Sequence, residues 1–208
     1  WGHSRNSAGL YLVFETDAPD IIVRYGVTGA HAMPHMAATG VSGVDLYQTT
    51  DPQDKKRCWG GFSFGPDTIV YHYRGVVHSD TRPDTYTLYL PLYNSTSWME
   101  IGVPDDARFR FIAKEAEPPI LIYGTSIVHG ACASRPGMAW SNILQRTMNR
   151  PVVNLGFSGS GRLEPEVVEY VAAVPAAIYV VDCMPNMSEG EEKAYKLVYN
   201  AVLQIRKA

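Results

Sequence analysis

Three short stretches carry residue types that together could cleave an ester. IYGTSIVHG, from Ile122 to Gly130, sets Ser126 just after a run of apolar residues. GFSGSG, residues 156–161, is rich in glycine and includes Gly159. DCMPNM, residues 182–187, contains Asn186. Acyl transfer needs a nucleophile and hydrogen-bond donors for the charge that develops on the carbonyl oxygen. A serine hydroxyl supplies the first. A glycine in a tight loop can aim its N–H at a ligand because no side chain blocks the approach, and an asparagine amide is a second neutral donor. A base for the serine is not evident. His129, three residues after Ser126, is the only histidine in the last 90 or so residues, but a base must come within about 2.6–3.2 Å of the hydroxyl and be oriented by a third group. A histidine in the same loop seldom does both. His129 is therefore read as lining the pocket, a candidate substrate-binding residue rather than a base. Arg135, in ASRPG, is the other candidate substrate-binding side chain, for a carboxylate or sugar hydroxyls; its ordinary role would be to organise its own loop.

Each of these residues also has an ordinary reading. Ser126 could be a turn serine, Gly159 a turn glycine, and Asn186 the cap of a following helix. What favours chemistry is where the elements put them. PILIYG is a short, nearly all-apolar strand of the kind buried on both faces in a parallel sheet. PVVNLG and AAIYVVDC are two more strands. Helices are expected between and after them. One lies over GMAWSNILQRTMN, with Trp140, Ile143, Leu144 and Met148 on one face. One lies over EPEVVEYVAAV, with Pro165 in its first turn and Val167, Val168, Val171 and Val174 at helical spacing. A last one follows a capping box of Ser188 and Glu191 and carries Ala194, Leu197, Val198, Ala201, Val202 and Ile205 on a stripe. Alternating strands and helices imply a parallel α/β sheet, whose ligands sit beyond the carboxyl ends of the strands. The loops holding Ser126, Gly159 and Asn186 all follow strands, so they must open on one rim.

Before Pro118 the texture differs. AGLYLVFET and DTYTLYLPLY alternate at period two. IIVRYGV, TIVYHYRGVV, SWMEIGV and ARFRFIA are further short runs, separated by turn-rich patches such as ETDAPD, TTDPQD, HSDTRPD and VPDDA. This spacing predicts an all-β sandwich, jelly roll-like, with no helix before about residue 137. The expected layout is a β-sandwich domain over 1–115, a linker over 116–119 within KEAEPPI, where paired prolines stiffen the chain, and an α/β three-layer parallel-sheet domain over 120–208.

The chain has 208 residues, 46% of them hydrophobic and 19% charged, as in a globular protein. No apolar run approaches the roughly 20 residues of a membrane-spanning helix. A formal net charge of −3 gives no reason to expect a nucleic-acid partner. GFSGSG lacks the Lys-Ser/Thr ending of a phosphate loop. His31 and His35 are four residues apart, but Pro34 interrupts any helix that would align them and no third ligand accompanies them, so no metal is expected. Cys58, Cys132 and Cys183 are an odd count and leave the disulfide status open; Cys132 and Cys183 near the rim are read as ordinary thiols. Tyr71, Tyr73, Tyr86, Tyr89 and Tyr93 could stack on sugars, although strand propensity also explains them. The oligomeric state is not legible.

YGTSI, NLGFSG and DCMPNM, in this order and each after a strand, resemble the nucleophile block and the two oxyanion blocks of the SGNH (GDSL-type) hydrolases. Ser126 then matches the nucleophile and a donor through its own N–H, Gly159 the glycine N–H donor, and Asn186 the side-chain donor. Thr125 stands where many members have Asp. The alternating region and GACASRPGMAW resemble two-domain bacterial carbohydrate esterases. The resemblance implies a flavodoxin-like fold for the second domain and hydrolysis of an acetyl or other small acyl group on a carbohydrate, without a cofactor. It also implies export to a bacterial periplasm or cell surface. The family's Asp-x-x-His block is not found in these residues. The α/β part is therefore expected to be incomplete at its C-terminus, and the chain alone weakly active or inactive. The alternative is a non-catalytic carbohydrate-binding or scaffolding protein.

Overall fold

The computed structural model describes residues 2–51, 54–76, 83–113, 117–188 and 190–207. In the first half, nine strands form two antiparallel sheets. They are β1 (Tyr11–Thr16), β2 (Ile21–Val27), β3 (Asp45–Asp51), β4 (Asp54–Arg57), β5 (Gly61–Phe64), β6 (Ile69–Tyr73), β7 (Asp84–Tyr89), β8 (Thr96–Gly102) and β9 (Phe109–Phe111). The first sheet has the order β4-β3-β7-β1-β9 and the second β5-β6-β2-β8. The alternation in β2 and β6 turns Ile21, Val23, Tyr25, Ile69, Tyr71 and Tyr73 inward from the second sheet. Phe14, Leu46, Tyr86 and Leu88 meet them from the first, in one buried cluster. Phe14 stacks on Tyr86 with ring centroids 5.5 Å apart. Tyr71, Tyr73, Tyr86 and Tyr89 are buried, so they are core and cannot stack on a sugar. Tyr93, the fifth, is half-buried with its ring against His129.

Strands β3, β4 and β5 escape period-two reasoning. KKR and GFSF are too charged or too glycine-rich to read as strands, and Thr49 to Asp51, read as part of a turn patch, continue β3. Residues 114–116, which include the first residue of the expected linker, lie outside the described residues, as does most of HSDTRPD. A single helical turn, α1 (Ala38–Val41), precedes β3; at four residues it is too short to show a period.

The second half contains β10 (Ile120–Gly124), α2 (Ser126–His129), α3 (Trp140–Met148), β11 (Val152–Gly156), α4 (Pro165–Ala172), β12 (Ile178–Asp182) and α5 (Glu191–Ile205). The strands are parallel, with β10 between β11 and β12. Gly124 is level with Gly156 on one side and Asp182 on the other, so the three carboxyl ends coincide. Leu121 and Tyr123 pack with Val168, Val171 and Ala201 on one face of this sheet, and Ile120 and Ile122 pack with Val128 and Val152 on the other.

Three helix expectations need correction. Helix α2 was not anticipated, and Ser126 opens it. Helix α5 is capped by Gly190, with φ +85°, and not by Ser188. A glycine adopts that left-handed angle without Cβ strain, which lets the chain enter the helix abruptly. In α3 most of the apolar stripe faces outward: Trp140, Ile143 and Met148 are exposed and only Leu144 packs on the sheet, while Ser141, Asn142 and Gln145 are buried. The buried face is polar because each side chain has a partner there. Ser141 Oγ accepts from Asn154 Nδ2 at 2.9 Å, Asn142 Nδ2 donates to the Pro136 carbonyl at 2.9 Å, and Gln145 Oε1 accepts from the Tyr89 hydroxyl of β7. Paired in this way, a polar face can be buried without the penalty of an unsatisfied group.

Candidate active site

Glycines at the strand ends allow α2 to sit on the sheet. A Cβ at Gly124 would meet Val128 and the Asp182 carbonyl, and one at Gly156 would fall on the backbone of His129. Helix α2 therefore starts at once after β10, behind Thr125, and Ser126 stands half-buried on its first turn. The first N–H groups of a helix have no intrahelical acceptor, so the N–H of Ser126 is available to a ligand.

The loop after β11 folds back over the end of β10. Phe157 N–H donates to the Gly124 carbonyl at 2.9 Å, and Ser160 N–H to the Phe157 carbonyl at 2.9 Å. This closes a turn with Gly159 at φ +72° and Gly161 at φ +71°. Gly161 lies so close to Gly124 that a Cβ would overlap its carbonyl, whereas a Cβ on Gly159 would meet nothing within 4 Å. The turn is braced by Arg162, whose guanidinium donates to the Gly159 carbonyl at 3.3 Å and whose N–H donates to Glu164 at 2.8 Å; the Tyr123 hydroxyl donates to the same carboxylate. Asn186 ends a 3-10 turn, Met184–Asn186, after β12. Its Nδ2 donates to the Ser160 carbonyl at 2.6 Å. Contacts thus run from Asn186 to Ser160, and from neighbouring Gly161 to the Gly124–Thr125 peptide, one residue ahead of Ser126. The three residues singled out in sequence come from loops that touch one another.

His129 and Arg135 are placed elsewhere. His129 is fully buried. Its Nε2 lies 2.7 Å from the Leu92 carbonyl, and its ring stacks on Tyr93 at 4.1 Å. Burial pushes its pKa down to about 4, against the opposing pull of the Leu92 carbonyl, so the ring is neutral at pH 7 and donates its Nε2–H. It anchors α2 to the first half and does not line the rim. Contacts with the first half explain this, since the Leu92 carbonyl and the Tyr93 ring hold the imidazole on the buried side of α2.

Arg135 Nε lies 3.0 Å from Asp45 Oδ2 of β3. The same carboxylate accepts from Arg57 Nε at 2.8 Å and from the Gly137 N–H at 3.2 Å. Asp45 is almost wholly buried, while the two arginines keep about a quarter of their side-chain surface exposed. Arg135 is thus a structural ion-pair partner, and the substrate-binding role expected for it is not supported. Beside it, Arg146 lies 4.0 Å over the Tyr47 ring and donates to the Gly137 carbonyl at 2.6 Å. Asp45 and Tyr47 were not anticipated. Their signal was an acidic residue set between the apolar Val44 and Leu46, which is costly to bury unless it is paired. Cys58, Cys132 and Cys183 are all free thiols.

Residues 1–109 match the GxDLY family, the N-terminus of SGNH-hydrolase-type esterases, and residues 117–208 match the GDSL-like lipase/acylhydrolase family. The chain belongs to the SGNH (GDSL-type) hydrolases. Within them it is of the kind that opens with a GxDLY region, and Gly43 to Tyr47 read GVDLY. Asp45 of that stretch is the carboxylate at the seam. Among solved structures, a GDSL-like lipase from Bacteroides ovatus is 32% identical, with a TM-score of 0.87 over 99% of this chain and 60% of the other. A salicylyl-acyltransferase from a tetracycline biosynthetic pathway is 21% identical, with a TM-score of 0.75 over 99% and 56%. A family two carbohydrate esterase from Clostridium thermocellum, in complex with cellohexaose, is 13% identical, with a TM-score of 0.52 over 95% and 66%. The latter two share the fold. The chain spans about 60% of the length of the first of these structures. No curated protein matches the sequence. No helix among the described residues is long and apolar enough to cross a membrane.

Proposed function

We propose that this protein is a serine ester hydrolase that removes an acetyl or other small acyl group from a carbohydrate. On this reading residues 1–115 form a jelly roll-like sandwich, 116–119 link it onward, and 120–208 are the first part of a flavodoxin-like SGNH domain. Ser126 Oγ attacks the ester carbonyl. The N–H groups of Ser126 and Gly159 and the second amide hydrogen of Asn186, the first being held by Ser160, stabilise the oxyanion. The serine proton passes to a base outside these 208 residues, since His129 is committed to Leu92, and then to the leaving alcohol. Water then cleaves the acyl-enzyme, and no cofactor takes part. The observation that carries this reading is the contact chain from Asn186 through Ser160 and Gly161 to the residues preceding Ser126. The carbohydrate part and an exported location rest on family resemblance.

A fluorophosphonate probe on the full gene product tests the chemistry. Labelling of the wild type that disappears in Ser126→Ala is expected, and a folded wild type that takes no label would sink the proposal. Asn186→Ala is expected to lower kcat on p-nitrophenyl acetate by about 100- to 1,000-fold, the usual loss for one oxyanion donor. Acetate release from an acetylated polysaccharide, compared with release from a simple triglyceride, tests the substrate class.

A further inference from the structure

The tyrosines expected to contact sugar are buried, yet two other aromatics of the first half stand in the open. Trp59 is 77% exposed and Phe62 56% exposed. An indole this bare is unusual, because large aromatic rings are normally mostly buried. Trp59 is also held in place. Before it, Cys58 is buried and its N–H donates to the Leu46 carbonyl at 2.8 Å. After it, Gly60 lies so close to the Tyr73 ring that a Cβ would come within 2.8 Å. The chain between these two points leaves the indole nowhere to go but outward. The Arg57 guanidinium, tied to buried Asp45, lies 3.9 Å from the centre of the indole. One face of the ring is thus covered by a fixed cation and the other is left open.

Trp59 flanks an open groove of about 320 Å³ on β5 and β6, at the lower end of the range for small-molecule sites, about 300–1,000 Å³; the Phe62 ring stacks on Tyr71 on the opposite face of the sheet. Its floor includes Gly61, where even a Cβ would meet nothing within 4 Å. Its polar lining is Ser63, His72 and Arg74. Gly61 pairs with His72 across the strands, so the floor and the imidazole are side by side. Arg74 Nε donates to His72 Nδ1 at 3.0 Å, which places the histidine proton on Nε2, where it can donate. The groove thus offers a flat apolar platform beside three donors, one of them a guanidinium, and no carboxylate among the described residues lines it.

We propose that this groove is a second carbohydrate site, seating on Trp59 a sugar ring that bears a carboxylate. The C–H face of a pyranose matches the open indole face. A carboxylate on the ring matches the Arg74 fork, which can bind it through two parallel N–H groups. An organic cation is disfavoured, because Arg57 and Arg74 bracket the groove with positive charge. A neutral sugar would leave the guanidinium without its matching anion. The site deepens the proposed function by giving the glycan that carries the ester a point of attachment, but it does not depend on the chemistry at Ser126.

Isothermal titration calorimetry at 150 mM NaCl with tetragalacturonate and with cellotetraose tests it. Tetragalacturonate is expected to bind, and cellotetraose at least fivefold more weakly. Trp59→Ala is expected to weaken tetragalacturonate binding at least tenfold, and Arg74→Ala to remove the preference over cellotetraose. Gly61→Val, whose Cβ would meet no neighbour within 4 Å, fills the floor and provides an independent block with the indole retained. Ser126→Ala is expected to bind like the wild type, so a failed esterase reading and a failed binding site are distinguishable. No heat from tetragalacturonate, equal or tighter binding of cellotetraose, or undiminished binding by both Trp59→Ala and Gly61→Val overturns the proposal; loss of binding in Ser126→Ala does so too, since it would locate the site at the rim.

Discussion

The two halves of the molecule divide their tyrosines differently: none in the antiparallel half is exposed, whereas in the parallel half Tyr123 alone is buried. The antiparallel half encloses Phe14, Tyr25, Tyr73, Tyr86 and Tyr89 completely, while in the parallel half Tyr170, Tyr195 and Tyr199 are each more than half exposed. The first sheet of the antiparallel half is covered on both faces, by the second sheet on one side and by α3 and its neighbouring loop on the other, where Tyr89 meets Gln145 and Arg146 covers Tyr47. The parallel sheet is less enclosed: Ile178 and Val181 of β12 are 49% and 39% exposed. The rim that carries Ser126 is therefore built on the more open half, and it is steadied from the closed half through His129, Arg135 and the buried side of α3. Local rigidity at the site comes from across the seam as much as from the sheet beneath it.

The largest expected effect breaks that support. Asp45→Asn leaves two arginines facing a buried position without their counter-charge and should cost about 3–5 kcal/mol, as removal of one partner from a buried pair does; urea denaturation measures it. Arg135→Ala should cost less, because that side chain is partly solvated. Next come matched deletions in the two cores, since Leu88 and Leu121 are both fully buried. Leu88→Ala should cost about 4 kcal/mol and Leu121→Ala about 3 kcal/mol, because the more open half can settle around a cavity and the closed half cannot. Equal losses would remove the distinction drawn between the halves.

The seam should also respond to acid. His129 takes up a proton only near pH 4 in the folded chain, against 6.5 ordinarily. Between these values the unfolded chain binds a proton that the folded chain refuses, so stability falls as pH drops from 6.5 and the loss levels off below about 4, at about 3 kcal/mol. Denaturation curves at pH 7 and pH 5 for the wild type and His129→Gln isolate this contribution, and an unchanged difference between them would refute it. The smallest effect sharpens the picture of the rim. Gly159→Ala has open space but a left-handed φ, and should cost about 1 kcal/mol. Gly161→Ala, which would strike the Gly124 carbonyl, should cost more and should also lower labelling at Ser126, which Gly159→Ala should do less.

Much of this arrangement was legible in the sequence for a simple reason. Three apolar runs followed by glycine or polar loops imply parallel strands, and parallel strands bring their carboxyl ends to one edge. Ser126, Gly159 and Asn186 could be grouped from that rule alone. What escaped was set by contacts distant in the chain. The α3 stripe was found, but periodicity cannot say which face of a helix will meet the seam, and here hydrogen bonds from Tyr89 and Asn154 made the polar face the buried one. His129 could be placed near the serine but not turned toward Leu92, 37 residues earlier. Asp45 lay in a stretch given no strand reading, and its role comes from Arg57, Arg135 and the Gly137 N–H gathered around it. The exposed aromatics were misjudged for a related reason: Tyr71 and Tyr73 fall on the inward positions of β6, while Trp59 sits in a crossing between sheets that no period describes.

The shared carboxylate of Asp45 bears on how freely such proteins can be recombined. It holds the arginine behind Trp59 with one oxygen and the chain downstream of the serine with the other, so neither half is a self-contained cassette. A chimera that transplants residues 120–208 onto an unrelated accessory module would strand Arg135 and the Gly137 N–H without an acceptor. Successful shuffling within this lineage should accordingly keep the acid and its two basic clients together, as a single inherited unit.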